Sequence, residues 1–484
     1  MALPVDNMKK AAITNTVWKF MERICAQVIA MVVSIILARL LAPEDYTVVS
    51  VVMIFFNFAN VIISGGFNTA LIQKTDADEE DYSTVLPLSV AVSLVLYGVL
   101  FFAAPFISRL YRQPLLVSVI RVMALSLPLY AVKSVYCAYI SSTLQFRKLF
   151  RATLGGTLTS AVVGITMATK GFGPWALVAQ QVTSVVSDTL ILVAITRLRI
   201  LLRVSWRKLK GLFSYGWKVF VSSLLGTAYN EAIPLFIGIK FPAASLSFYT
   251  KGKNFPTLIS TTTTSTLSAV LFPVLARYQD DHEALLRYTR RFIRTGSYLV
   301  FPLMLGFFAV ADNFVLLLLT EKWLPAAYYI RVFCAVCMLD IVHIGNCETI
   351  KAMGRSDVYL IMEIIKKSSY FVIIGLFMFF GKTPELLALA SFVCALVAMA
   401  VNSVPNRKLI GYSFRAQAAD LVPNLLLSVV MCAAVTLVGR LELGTFVALV
   451  LQIVTGVAVY VLLSVITRNE SFRYLLKLLK SRGK

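Results

Sequence analysis

Charge is scarce in this sequence. Of its 484 residues, 14% are Asp, Glu, Lys or Arg, where a soluble domain carries about a quarter. Histidine is scarcer still, with two in the whole chain. Neither lies in a catalytic arrangement, and no His/Cys cluster has metal-ligand spacing, so no metal or cofactor is implied. Segments of about ten alternating residues are absent, which excludes a transmembrane barrel. No cleavable leader is expected: "MALPVDNMKKAAITNTVW" is polar, and the apolar run after it is too long for a signal core. That first run is expected to act as an uncleaved insertion signal. All seven cysteines fall inside apolar segments, so no disulfide framework is expected. Cys334 and Cys337 have redox spacing but no second pair, and read as packing residues.

What is present is apolar: 58% of residues are hydrophobic and mean hydropathy is +0.80. Runs of about twenty residues, long enough to cross a bilayer core of about 30 Å, recur from end to end. The pattern predicts an all-α polytopic membrane protein with about fourteen transmembrane helices, the first over 14–41 and the last over 444–466.

The formal net charge is +22. In a membrane protein this reflects basic cytoplasmic loops, so no nucleic-acid partner is implied. With the N-terminus inside, about 28 basic residues fall on inner connections and about 7 on outer ones. Both termini are therefore expected in the cytoplasm. One inner loop, "KTDADEED", is acidic, and acidic residues count for little in this rule. The outer connections, from "APED" to "RLELG", are short. That argues against a membrane polymerase or ligase with its chemistry on a large outer loop. The C-terminal "NESFRYLLKLLKSRGK" reads as a basic amphipathic segment on the anionic inner leaflet.

The chain repeats itself at an offset of about 199 residues. "VWK" (Val17–Lys19) matches "GWK" (Gly216–Lys218), Pro43 matches Pro242, and "TALI" matches "SAVL". Six helices separate the copies, an even number, which predicts parallel repeats. The expected division is a first lobe over 1–196, a basic linker over 197–213 and a second lobe over 214–405. Helices 13 and 14 over 406–466 and a basic tail over 467–484 follow.

Ionisable residues at membrane depth are candidate functional groups. Lys19 and Arg23 share one face of the first helix, which favours a common anionic partner. Glu22 is one such partner, and snorkelling to the rim is the plainer reading for Lys19. Lys218 is the repeat equivalent of Lys19. Arg121 and Lys133 lie on the fourth helix, Lys133 among the mixed aromatic and polar neighbours "LPLYAVKSVYCAY". Lys251 and Lys253 open the eighth helix within "SFYTKGKNFP", and Gly252 and Pro256 offer it a local break. The hydroxyl run Ser260–Thr266 follows and suggests a wet cavity. Arg331 lies near a rim and reads as a snorkelling residue. Glu348 and Glu363 precede Lys351 and Lys366 by one helical turn and predict intrahelical pairs. Glu22, Glu231 and Asp340 are the candidates for holding a coupling ion. His343, one turn after Asp340, admits a proton relay, though a hydrogen-bonded packing role is the simpler reading.

Seven stretches, in order along the chain, carry a resemblance: "ARLLAPEDY", "GGFNTALIQ", "GPWALVAQQ", "YTKGKNFP", "VLFPVLARYQDD", "EKW" and "AMGRSD". Together the chain resembles the polysaccharide transporter family. These are the O-antigen and exopolysaccharide flippases of the multidrug/oligosaccharidyl-lipid/polysaccharide superfamily, and it is most similar to the colanic-acid-type members. Thr47 departs from the family's usual glycine after the "PE-aromatic" turn. The resemblance implies a V-shaped two-lobe fold working by alternating access. It also implies a substrate, an undecaprenyl-pyrophosphate-linked oligosaccharide, and a place in the bacterial inner membrane. In the related lipid II flippase, cations on helices 1 and 8 hold the pyrophosphate, which points to Arg23, Lys19 and Lys251 here. The partners implied are the lipid-linked oligosaccharide, membrane lipids and a glycan polymerase with its export machinery, around a monomer. A multidrug or cation antiporter of the same superfamily is the alternative. It would want carboxylates in its cavity, and the basic excess argues against it.

Overall fold

The computed structural model describes residues 5–74, 77–196, 198, 205–441 and 443–482. Every regular element among these residues is a helix. The helices are α1 (Val5–Leu40), α2 (Pro43–Ser64), α3 (Phe67–Gln73), α4 (Glu79–Tyr111), α5 (Leu116–Ala124), α6 (Leu127–Ser142), α7 (Phe146–Thr169), α8 (Pro174–Ile195) and α9 (Trp206–Lys240). They continue with α10 (Ala243–Ala276), α11 (His282–Leu318), α12 (Ala326–Met338), α13 (Asp340–Ala352), α14 (Ser356–Phe380), α15 (Pro384–Ile410), α16 (Phe414–Val438), α17 (Thr445–Ile466) and α18 (Glu470–Arg482).

Among the described residues, 11 helical segments are long and apolar enough to cross a membrane, counting α5 with α6 and α12 with α13 as one each. Three more rods have crossing length: α1 with 36 residues, α9 with 35 and α14 with 25. These three carry Lys19, Glu22 and Arg23, then Lys218 and Glu231, then Glu363, Lys366 and Lys367. Ionisable residues within such rods are candidates for function. Together these are fourteen rods of crossing length among the described residues, in line with the number that the apolar runs predict.

Local sequence sets the helix ends. Pro43 opens α2, and the Asp45 carboxylate accepts from the Ala42 N–H at 3.0 Å. Asp78 and Asp81 cap α4 reciprocally, each side chain accepting from the other's backbone N–H, at 2.9 and 3.1 Å. The acidic loop has a structural use: Asp78 and Glu80 hold Lys208 at 2.6 and 2.7 Å, and Asp81 holds Lys74 at 2.7 Å. The Lys208 hydrogen bond keeps the Asp78 carboxyl down at about 2. The loop thus offsets basic residues on the same side of the chain. Of the basic linker expected over 197–213, residues 197 and 199–204 lie outside the described residues, and from Trp206 on it already forms the start of α9.

Three rods expected as single helices are interrupted. The one over 46–72 stops at Ser64, because Gly65 and Gly66 take φ of +50° and +74°. A Cβ on Gly66 would sit 2.0 Å from the Gly216 carbonyl oxygen, so α3 and α9 meet backbone to backbone. The rods over 115–142 and 326–350 break at Leu125–Ser126 and at Leu339, in tight turns where Ser126 N–H bonds Met123 O and Leu339 N–H bonds Val336 O. Both breaks fall in the fourth crossing helix of their repeat, and both follow the triplet Ile-Arg-Val, at 120–122 and 330–332.

By packing, the chain divides into two compact units, Met1–Leu246 and Ser247–Lys484, with the boundary just inside α10. The helix α9, expected to open the second lobe, packs in the first unit against α2, α3 and α4. In that unit α7 and α8 form the most extensive pair. Glycines on α7 permit it: a Cβ at Gly164 would press on Gln180 at 3.0 Å. Thr47, at the position where the family usually has glycine, is buried and donates to the Ala243 carbonyl at 2.7 Å. It ties the start of α2 to the start of α10. In the second unit α11 is the hub, contacting α12, α13, α16, α17 and α18. There Tyr298, Leu427, Met431 and Tyr460 form a core, onto which α18 sets Phe472 and Leu475. The C-terminal amphipathic helix therefore covers part of its apolar face with protein.

Candidate functional site

Of the candidates on α1, the side chains of Lys19, Glu22 and Arg23 lie outside the described residues. Lys133, on α6, is not a lone cation. Its ammonium lies 2.5 Å from Asp188 of α8, and that carboxylate is only 4% exposed. The neighbouring helix makes room: a Cβ on Gly156 of α7 would overlap Asp188 Oδ1 at 1.7 Å. One residue on, Thr189 donates to the Leu129 carbonyl at 3.3 Å and seats α8 on α6. A buried ion pair held between three helices results, and its Lys end stays half-buried rather than sealed.

Arg121, on α5, lays its guanidinium 4.1 Å from the Phe101 ring centre. Arg331, in the second Ile-Arg-Val triplet, stands 5.9 Å from the Phe308 ring and also pairs with Asp312. Arg331 is thus ion-paired with a half-exposed carboxylate. Glu231 accepts from the Asn57 amide of α2 at 2.8 Å, and Lys218 is exposed on α9.

In the second unit, Lys251 and Lys253 part around Gly252, as residues two apart on a helix must. Lys251 is 6% exposed, with its amino group 5.7 Å from the Trp323 ring. Phe248 meets the same ring edge-on at 6.0 Å. Lys253 is half-buried, about 6 Å from the rings of both Tyr249 and Phe333, at 6.0 and 5.9 Å. Gly252 is where α10 and α12 touch: a Cβ there would lie 2.4 Å from Tyr329 Cβ and 2.9 Å from the Ala326 carbonyl. Close approach is therefore its structural use, and α10 runs through it and Pro256 as one helix.

About two turns further along α10, Ser260 donates to the Asp340 carboxylate at 2.5 Å. The rest of the hydroxyl run mostly bonds its own helix, as Thr262 to Leu258 O and Thr264 to Ser260 O. Thr261, Ser265 and Thr266 remain exposed. His343 turns to the Asn402 amide rather than to Asp340, so the relay arrangement is not formed. Glu348–Lys351 and Glu363–Lys366 pair within their helices as the spacing predicts.

The chain matches the model of a family described as "Polysaccharide biosynthesis protein" over residues 36–328. It belongs to that family. It is 23% identical to the succinoglycan biosynthesis transport protein ExoT of Rhizobium meliloti, over 98% of this chain and 96% of that one. It is 21% identical to the teichuronic acid biosynthesis protein TuaB of Bacillus subtilis, over 84% of each. Among solved structures it is similar to the lipid II flippase MurJ in an inward closed conformation. There the TM-score is 0.77 and the identity 14%, over 96% of this chain and 100% of that one. The likeness shows a shared fold.

In this polysaccharide biosynthesis protein, two carboxylates matter that the composition-level reading passed over. Asp188 holds Lys133. Asp420, on α16, has a side chain 1% exposed and binds Arg290 at 2.8 Å, Arg294 at 2.6 Å and the Tyr412 hydroxyl at 2.8 Å. Each is a single acidic residue inside an apolar run, and that isolation is the signal that finds them.

Proposed function

We propose that this protein moves a lipid-linked oligosaccharide, carried on undecaprenyl pyrophosphate, from the cytoplasmic to the outer face of the bacterial inner membrane. Both termini then lie in the cytoplasm, and the protein works by alternating access. The observation that carries the reading is the pair Lys251 and Lys253: two ammonium groups at membrane depth, set against aromatic rings beside a hydroxyl-lined stretch of α10. A pyrophosphate is strongly anionic, and carrying it through hydrocarbon costs many kcal/mol unless counter-charges travel with it or await it. The isoprenoid tail is apolar and can stay in lipid. Membership of a polysaccharide biosynthesis family, and the transport named for its succinoglycan relative, support a saccharide as the group carried.

In this reading Arg23, Lys19, Lys251, Lys253, Lys218, Lys133 and Arg121 are the cations available to the substrate, and Glu22, Glu231 and Asp340 the groups available to a coupling ion. Lys253 is the more open of the α10 pair. Cationic cargo is disfavoured by the way Asp188 and Asp420 are already held by Lys133 and by Arg290 and Arg294. The test is complementation of a flippase-null strain. Lys251→Ala and Arg23→Ala are expected to abolish glycan export while the protein inserts at wild-type levels. Full complementation by both variants would overturn the cation-site reading.

A further inference from the structure

We infer that the second unit carries a dedicated site for the headgroup of an anionic diacyl phospholipid, between the first turns of α11 and α18. This goes beyond the transported substrate and does not depend on it. A cavity of about 600 Å³ opens there, walled by Glu283, Arg287, Arg290, Arg291, Arg294 and Tyr474. Arg290 and Arg294 are fixed in place by buried Asp420, and Arg294 also pairs with Glu470 at 2.9 Å. Arg287 and Arg291 are different: among the described residues neither is in an ion pair. Arg291 lies 4.8 Å from the Tyr474 ring and Arg287 5.5 Å from the Tyr288 ring. Four guanidinium groups thus face one cavity whose wall offers two carboxylates, Glu283 and Glu470. Guanidinium forks match phosphate oxygens, and anchored arginines lose little freedom on binding.

A lipid fits better than a free phosphate. The cavity is far larger than one phosphate ion and lies within the size range of sites for small molecules. A second cavity of about 510 Å³ shares Arg294, Glu470 and Ser471 with the first and is walled on its other side by Pro423, Leu426 and Leu427. Beyond it Leu426 is 59% and Val430 51% exposed, an apolar track for an acyl chain. Basic pockets between helices on the cytoplasmic side are where anionic headgroups bind, and α11 begins on the side that gathers the basic connections.

The test uses the full purified chain in neutral detergent and follows thermal unfolding against added phosphatidylglycerol, phosphatidylcholine or inorganic pyrophosphate. Phosphatidylglycerol is expected to raise the unfolding temperature at concentrations where the other two do not. In R287Q/R291Q its apparent affinity is expected to fall roughly 30-fold, the loss of two interfacial cations. The control K148Q/R151Q, with the same charge removed from the first unit, is expected to keep the wild-type response. No response of the wild type, an equal response in R287Q/R291Q, or a match by pyrophosphate would overturn the assignment. If R287Q/R291Q does not fold, photoactivatable phosphatidylglycerol on the wild-type chain decides: labels on α11 or α18 peptides support the site, and labels only elsewhere overturn it.

Discussion

Removing the Lys133 ammonium would leave the Asp188 carboxylate buried against α7 with no counter-charge. Stranding one partner of a buried pair costs about 3 kcal/mol or more, while replacing both by apolar groups is often neutral. Lys133→Met is therefore expected to lower thermal stability in detergent clearly, and Lys133→Met/Asp188→Leu to recover most of it. A double variant as unstable as the single would show that the pair contributes nothing as a pair. Lys133 itself was legible in the sequence, because a lysine among tyrosines, a serine and a cysteine in an apolar run stands out. Its partner was not, because Asp188 lies 55 residues away and only the packing of α6, α7 and α8 brings the two together. The same limit applies to Lys251 and Lys253. Their spacing predicts opposite directions, but the rings that receive them, Trp323 and Phe333, come from a separate stretch of chain.

At the scale of elements, glycine and the helix breaks decide how rods approach. Gly252 looked like a hinge beside Pro256, since both residues loosen helices. Its structural use is contact with α12, and sequence alone does not separate those two uses of glycine. Gly252→Ala puts a methyl group where Tyr329 and the Ala326 carbonyl already stand. Overpacking of this kind costs about 1–3 kcal/mol. A lower unfolding temperature is expected for that variant, with little change for Gly375→Ala, whose Cβ would meet nothing within 4 Å. Equal effects at both positions would argue against the close approach. The break at Leu339 was hidden because a continuous apolar run covers it and no proline sits at the turn, whereas at Leu125–Ser126 the proline at 128, in the first turn of α6, was the available signal. The acidic loop was visible as an exception to the charge rule, but its purpose needed the Lys208 contacts.

For the whole molecule, the fourteen crossings and their order follow from hydrophobic run length, the strongest signal a membrane sequence carries. The repeat is also legible, and the shared Ile-Arg-Val before each break adds to it. The packing division at Leu246 was not, because an apolar helix such as α9 reads the same whichever neighbours it chooses. The central claim remains that cations on α10 receive a pyrophosphate. The most direct measurement is the initial rate at which the purified protein, in liposomes, carries a fluorescent undecaprenyl-pyrophosphate oligosaccharide between leaflets, compared between wild type and Lys251→Gln/Lys253→Gln. A lost charged hydrogen bond is worth about 1.5–3 kcal/mol, so the rate is predicted to fall at least about tenfold. An unchanged rate in a correctly folded variant would contradict the account.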